Sequence, residues 1–193
     1  MDNQRIIVVS GIPRSGTSLM MKMLEAAGIA ILSDGLRQAD ADNPKGYYEH
    51  ERVKKLDEGD TGWLKDAGGK AVKIVSPLLK HLPAGFDYDV IFMRRELSEV
   101  LASQRKMLER NNKVTDGASD EKLAMLFKAQ LEQTIAWART QKNFRVVEID
   151  FNALVSDPAK EIGELEPLFA EELDIKAIAK VVDPELYRQR MGK

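Results

Sequence analysis

Short apolar runs of strand length alternate along this chain with longer stretches of helical period. Arg5 to Ser10 is a β-branched run, which predicts a buried strand. Thr17 to Ala27 places Leu19, Met20, Met23, Leu24 and Ala27 at helical spacing, and Gly28 follows as a stop. Ala71 to Val75 and Tyr88 to Met93 read as two more short strands, and Arg145 to Ile149 as a further one. Glu96 to Arg110 reads as a helix with Val100, Leu101, Met107 and Leu108 on its apolar side, and Asp120 to Thr140 as a long helix. The polar stretch Asn111 to Ser119 contains Gly117 and reads as a loop. The remainder reads as short helices around Pro158, Pro167 and Pro184. Strands separated by helical crossovers predict an α/β fold, a parallel sheet with helices on both faces. No linker divides the chain, so residues 1–193 are expected to form a single domain.

Composition narrows the function classes. The 193 residues are 44% hydrophobic, enough for a sizeable core. Basic and acidic residues nearly cancel, 29 against 31, for a net charge of -2. That balance argues against a general nucleic-acid or membrane-surface binder, so an anionic ligand must be held by a local basic cluster. The absence of cysteine excludes disulfides, a thiol nucleophile and thiolate metal sites. With only His50 and His81, a multi-histidine metal site is not expected. Asp40, Asp42 and Asn43 hint at a calcium loop, but Pro44 and Lys45 break the required pattern. No metal is expected. The apolar run Ile6 to Val9 is too short for a signal-peptide core, and no window approaches the ~20 apolar residues of a membrane span. A soluble, cytoplasmic protein is the expectation.

The strongest chemical signal is Ser10-Gly11-Ile12-Pro13-Arg14-Ser15-Gly16-Thr17-Ser18, placed after a strand and opening a helix. Two glycines let the backbone curl with its N–H groups inward, and the helix begins with its positive end at the same point. Together they make an anion-binding nest for a phosphate. The hydroxyls of Thr17 and Ser18 add donors, and Arg14 adds a charged fork. Thr17 stands where a Walker A loop carries its lysine.

A second basic point follows the strand Tyr88 to Met93, in Arg94-Arg95-Glu96, with Ser103 on the next helix. Arginines at the end of a parallel strand sit where ligands bind in open α/β sheets. Arg95 and Ser103 form one candidate phosphate contact. Arg94 is the other candidate arginine, unless it pairs on the surface with Glu96 or Glu99.

On these residues the sequence resembles the sulfotransferases that use 3′-phosphoadenosine 5′-phosphosulfate (PAPS). Pro13-Arg14-Ser15-Gly16-Thr17-Ser18 matches the family's loop for the 5′-phosphosulfate. Arg95 and Ser103, eight residues apart, match its 3′-phosphate motif. Val146 to Pro158, Val182 to Arg188 and Asp42 to Glu49 are also similar to family segments. The resemblance implies a three-layer P-loop nucleotide-binding fold and transfer of a sulfuryl group from PAPS to a hydroxyl or amine, leaving adenosine 3′,5′-bisphosphate (PAP). It implies a small-molecule, glycan or peptide acceptor.

Such transfer needs a cation at the breaking S–O bond, donors for the sulfonate oxygens and a base for the acceptor proton. Arg14 occupies a position that is lysine in many family members. Lys73, on the strand Ala71 to Val75, matches a family lysine expected to polarise the sulfonate or leaving oxygen. Its bland alternative is a snorkelling strand-end lysine. The family histidine two residues after that lysine is replaced by Val75. Asp34, Glu49 and His50 are then candidates for the base. Glu49 is favoured because it follows Tyr47 and Tyr48, which offer an acceptor pocket. Its alternative role is a carboxylate ahead of a helix over Glu51 to Leu56.

Two other functions stay open on the residues alone. A P-loop NTP-dependent small-molecule kinase or NTPase would use Asp150 on magnesium at the end of its strand. A catalytically degenerate nucleotide-binding domain would need no base. A chain of this length leaves the acceptor side open or completed by a second copy in a homo-oligomer. The basic residues Lys45, Lys113, Arg188, Arg190 and Lys193 are further candidate nucleotide contacts.

Overall fold

The computed structural model describes residues 5–37, 46–110, 119–169 and 178–182. Strands β1 (Ile6–Gly11), β2 (Ala71–Val75), β3 (Tyr88–Arg94) and β4 (Phe144–Asp150) form one parallel sheet in the order β2-β1-β3-β4. β1 is buried along its whole length, as a strand covered on both faces requires, and its sequence is accordingly near-continuous in apolar residues. Alternate side chains feed two cores. Ile6 and Val8 join Val72, Ile74, Val90 and Phe92 on one face. Ile7 and Val9 join Ala71, Ile91, Met93 and Ile149 on the other.

Helices close both faces. α1 (Thr17–Ala26) packs Met20, Met21, Met23 and Leu24 into the second core. α4 (Phe151–Ser156) and α5 (Pro158–Gly163) add Leu154 and Ile162 there. α2 (Leu97–Arg110) and α3 (Asp120–Thr140) cover the first face with Val100, Leu131, Ile135 and Ala138. This is the three-layer α/β arrangement expected, with the bounds of the four strands and of α1, α2 and α3 within one residue of the sequence reading; the helix read over Glu51 to Leu56 is a 3₁₀ segment, Glu51–Glu58. The sequence reading did not anticipate the 3₁₀ segments Gly62–Asp66 and Ser76–His81, which are too short to show a helical period.

The amino edge of the sheet is fastened by a buried carboxylate. Asp89 accepts from Arg145 Nε and Nη2 and from Arg5 Nε, each at 2.6 Å. The same guanidinium groups donate to the carbonyls of Tyr88, Asn143, Pro167 and Leu168. Asp40, Asp42, Asn43, Pro44, Lys45, Lys113, Pro184, Arg188, Arg190 and Lys193 lie outside the described residues.

Candidate active site

The strand order reverses direction about β1, because the chain moves from β1 to β2 on one side and then to β3 on the other. The crevice beyond the carboxyl ends at such a switch point is where open α/β sheets bind ligands. Both basic motifs meet there. Residues 12–16 join β1 to α1. Gly16 has φ +100, and a Cβ on it would lie 2.3 Å from Cδ2 of Phe151. A residue larger than glycine therefore meets a ring as well as a strained backbone. The first turn of α1 holds no acidic side chain, and no side chain among the described residues caps it. Its leading N–H groups are the kind of donors that an anion satisfies. Ser15 Oγ is buried and has no hydrogen-bond partner among the described residues. A glycine-bracketed loop, a helix start and a hydroxyl in need of a partner fit a phosphate or sulfonate group.

Arg14 adopts φ +73, a left-handed conformation that costs about 1–2 kcal/mol for a residue with a Cβ. Arg95, in the β3–α2 connection, and Ser103, on α2, hold it there. Arg14 Nε donates to Ser103 Oγ at 2.9 Å, and Arg95 Nη1 donates to the Arg14 carbonyl at 3.1 Å. The two motifs, 89 residues apart at this bond, are thus directly joined. The spacing of Arg95, Glu99 and Ser103 by four residues sets them on one face of α2 and the turn before it. Glu99 and Ser103 are buried. Arg95 Nε donates to Glu99 Oε2 at 3.1 Å, and its Cζ lies 4.4 Å from the Phe151 ring centroid. Arg94 turns elsewhere, to Glu148 at 2.8 Å. Arg94 is thus ion-paired, as its alternative reading had it, but with Glu148 rather than Glu96 or Glu99. Arg94 ends β3 on the face covered by α3, whose Arg139 shares Glu148.

On the other side of β1 stands Lys73, in register with Val9. Its side chain is only 9% exposed. Nζ donates to the Tyr47 carbonyl and lies 3.5 Å from Glu49 Oε1. Burial pushes the ammonium below the ordinary lysine value, while Glu49 pulls the other way. Glu49 also meets Arg37 at 2.8 Å and Lys54 at 3.8 Å. The two tyrosines do not act together. Tyr47 is buried beneath the Arg37 guanidinium, 3.4 Å from ring centroid to Cζ, whereas Tyr48 donates to Glu25 on α1. Asp34 Oδ2 accepts from the backbone N–H of Glu51 at 2.5 Å, at the start of the 3₁₀ segment Glu51–Glu58. Burial raises its carboxyl, but bonds from the N–H groups of Glu51 and Leu36 outweigh this and hold it below the ordinary value. His50 packs against Trp63, with ring centroids 5.5 Å apart and planes tilted by 37°. Val75 pairs with Gly11 and offers no titratable group beside the loop.

Sequence reasoning missed Glu99, Phe151, Asn152 and Arg37 as parts of these clusters. For Glu99 the signal was present, since it sits midway between Arg95 and Ser103 at helical spacing. The others reach the site through tertiary contacts that no local pattern announces.

The same fold occurs in sulfotransferases. Retinol dehydratase in complex with androsterone and inactive cofactor PAP superposes with a TM-score of 0.53, at 16% identity, over 93% of this chain and 63% of that one. A mouse sulfotransferase complexed with PAP gives 0.53 at 15% identity, over 94% and 63%. A sulfotransferase from Mycobacterium avium gives 0.55 at 13% identity, over 99% and 70%. The chain thus spans 63% of the length of the first two proteins. No family model matches the chain, and no curated protein matches it in sequence. The likeness is one of architecture: a parallel α/β sheet flanked by helices, of the kind these sulfotransferases have.

Proposed function

We propose that this chain is a PAPS-dependent sulfotransferase acting on a hydroxyl or amine acceptor. The observation that carries this reading is the hydrogen-bonded joining of Arg14, Ser103 and Arg95 at the carboxyl ends of β1 and β3. One compact basic cluster then serves two phosphate positions, as a nucleotide with both 3′ and 5′ anions demands. Pro13, Arg14, Ser15, Gly16, Thr17 and Ser18 would hold the 5′-phosphosulfate. Arg95 and Ser103 would hold the 3′-phosphate.

In the transfer, a lone pair of the acceptor attacks sulfur, and the S–O bond to the 5′-phosphate breaks. The bond's electron pair stays on the phosphate oxygen of PAP. Arg14 and the start of α1 stabilise the charge that gathers there, as preorganised donors do. Arg14 supplies charge and a fork but keeps its own proton. Lys73 polarises the sulfonate or the leaving oxygen, and the burial that lowers its proton affinity also suits it to donate. Glu49, the candidate base, is engaged by three cations. In this arrangement it holds Lys73, and it takes the acceptor proton only if it exchanges one of those partners. The kinase alternative gains nothing from Asp150, whose Oδ1 accepts from Ala153 N–H at 2.8 Å and caps α4.

The test is product formation. With PAPS, a panel of phenols, alcohols and amines, and a chelator present, acceptor-dependent release of PAP is expected. Acceptor-dependent release of ADP from ATP and magnesium, with PAPS inert, would overturn the reading.

A further inference from the structure

We propose that Glu99 and Asn152 are positioning residues for Arg95, and that through Arg95 they set recognition of the nucleotide's 3′-phosphate. The assignment rests on the PAPS reading above.

Glu99 is 3% exposed. A carboxylate so buried persists only when paired and hydrogen-bonded. Its Oε2 accepts from Arg95 Nε at 3.1 Å and from Asn152 Nδ2 at 3.1 Å. The other end of the same amide is also engaged, because Asn152 Oδ1 accepts from the backbone N–H of Glu96 at 3.2 Å. Donor and acceptor each face their complement, so the amide has one fitting orientation. A flipped amide would set oxygen against carboxylate and N–H against N–H.

The result is an arginine held on three sides. Glu99 fixes Arg95 at Nε, the Arg14 carbonyl fixes it at Nη1, and the Phe151 ring lies against its face. Phe151 also borders Gly16, so one ring supports both the loop and the arginine. Phe151 and Asn152 open α4, directly after β4. That strand carries none of the loop or α2 motif residues, yet it delivers the parts that aim Arg95. A planar guanidinium already held in one orientation loses little freedom when it binds a phosphate.

Charge alone predicts the opposite of positioning. Glu99 offsets the charge of Arg95, so removing it should strengthen binding of an anion. If Glu99 acts by aiming Arg95, removing it weakens that binding. The two accounts therefore differ in sign.

The experiment is calorimetric titration of the full chain with PAP and with AMP, which lacks the 3′-phosphate. The readout is the ratio of the two affinities, alongside circular dichroism and melting. Wild type is expected to prefer PAP. Glu99→Ala should lower the ratio by about 10–100-fold, the scale of a charge-assisted contact. Asn152→Ala should lower it by about 3–10-fold, the scale of a neutral hydrogen bond. Glu99→Gln, which keeps an acceptor oxygen, should retain most of the ratio. Should Glu99→Ala fail to fold, Asn152→Ala and Glu99→Gln carry the test. Equal loss of PAP and AMP binding would mean a purely structural role and overturn the assignment. So would an unchanged or raised ratio in either alanine variant. A wild type without PAP preference would overturn the PAPS reading and this assignment with it. A wild-type preference that survives in Glu99→Ala and Asn152→Ala would overturn the assignment alone.

Discussion

The molecule carries a buried carboxylate bonded to arginine at each end of its sheet, and the two clusters have different surroundings. At the amino edge, Asp89 binds Arg5 and Arg145, and both guanidinium groups continue to backbone carbonyls. That cluster ties β1, β3 and β4 to the carbonyls of residues 167 and 168. At the carboxyl edge, Glu99 binds Arg95, which continues to the carbonyl of a left-handed residue in a glycine-bracketed loop. The chemistry of the pairs is alike. What differs is the neighbourhood, since strand ends, a helix start and hydroxyl donors surround the second cluster. Acid–arginine pairing alone therefore does not mark a ligand site. The pair must sit where backbone donors converge.

Four substitutions separate the two edges, in descending order of effect. Gly16→Ala should strike the carboxyl edge hardest, because its Cβ meets Phe151 at 2.3 Å and φ stays positive. Overpacking and backbone strain together cost about 2–5 kcal/mol. For a chain this long that is a melting-point drop of roughly 5–15 °C. Nucleotide binding should fall with it, and calorimetry with PAP checks this. A variant that melts and binds as wild type would show that the loop is not built around this glycine.

Asp89→Ala should cost about 2–3 kcal/mol, below the full penalty for a broken buried pair because both arginines reach solvent. Urea denaturation gives the loss. The ratio of PAP to AMP affinity should not move, which separates this fastening from the candidate site. A changed ratio would mean that the two edges are not independent.

Arg95→Ala should show the reverse pattern in binding. PAP affinity is expected to fall by about 10–100-fold more than AMP affinity, the scale of a lost charge-assisted bond. Equal loss for both ligands would assign Arg95 to structure alone.

The smallest effect concerns Lys73. Burial holds its ammonium below the ordinary lysine value of about 10.4. Between the lowered value and about 10.4 the unfolded chain keeps a proton that the folded chain gives up. Stability of wild type relative to Lys73→Met should therefore rise with pH through that window, the burial penalty being fullest below it. Denaturation curves at pH 7 and pH 10 measure the difference. A gap that stays constant, or moves the other way, would contradict the burial of a charged Lys73.

Much of the carboxyl edge was legible in sequence for physical reasons. Buried parallel strands read as continuous apolar runs, and glycines at 11 and 16 mark a curled loop. Arg95, Glu99 and Ser103 follow helical spacing, so one face could be read without tertiary knowledge. The choice between Arg94 and Arg95 was not legible. Arg94 closes β3 on the α3 face, and Arg95 turns under the loop, a one-residue difference set by where the strand ends. Nor was Asp89 readable as a hub, because its partners lie 84 and 56 residues away. Lys73 and Glu49 meet only because residues 47 to 49 pack against Lys73, in the middle of β2. Such contacts are set by tertiary packing, and no local period encodes them.

A carboxyl edge that recognises a nucleotide by two separate phosphates, without a metal, must tell PAP from ADP. Calorimetry of the wild-type chain with PAP and with ADP, each with and without magnesium, tests it most directly. The two ligands carry their phosphates at different positions on the same nucleoside. The account predicts tighter binding of PAP, unchanged by magnesium. A preference for ADP that depends on magnesium would contradict it and favour a phosphoryl-transfer enzyme.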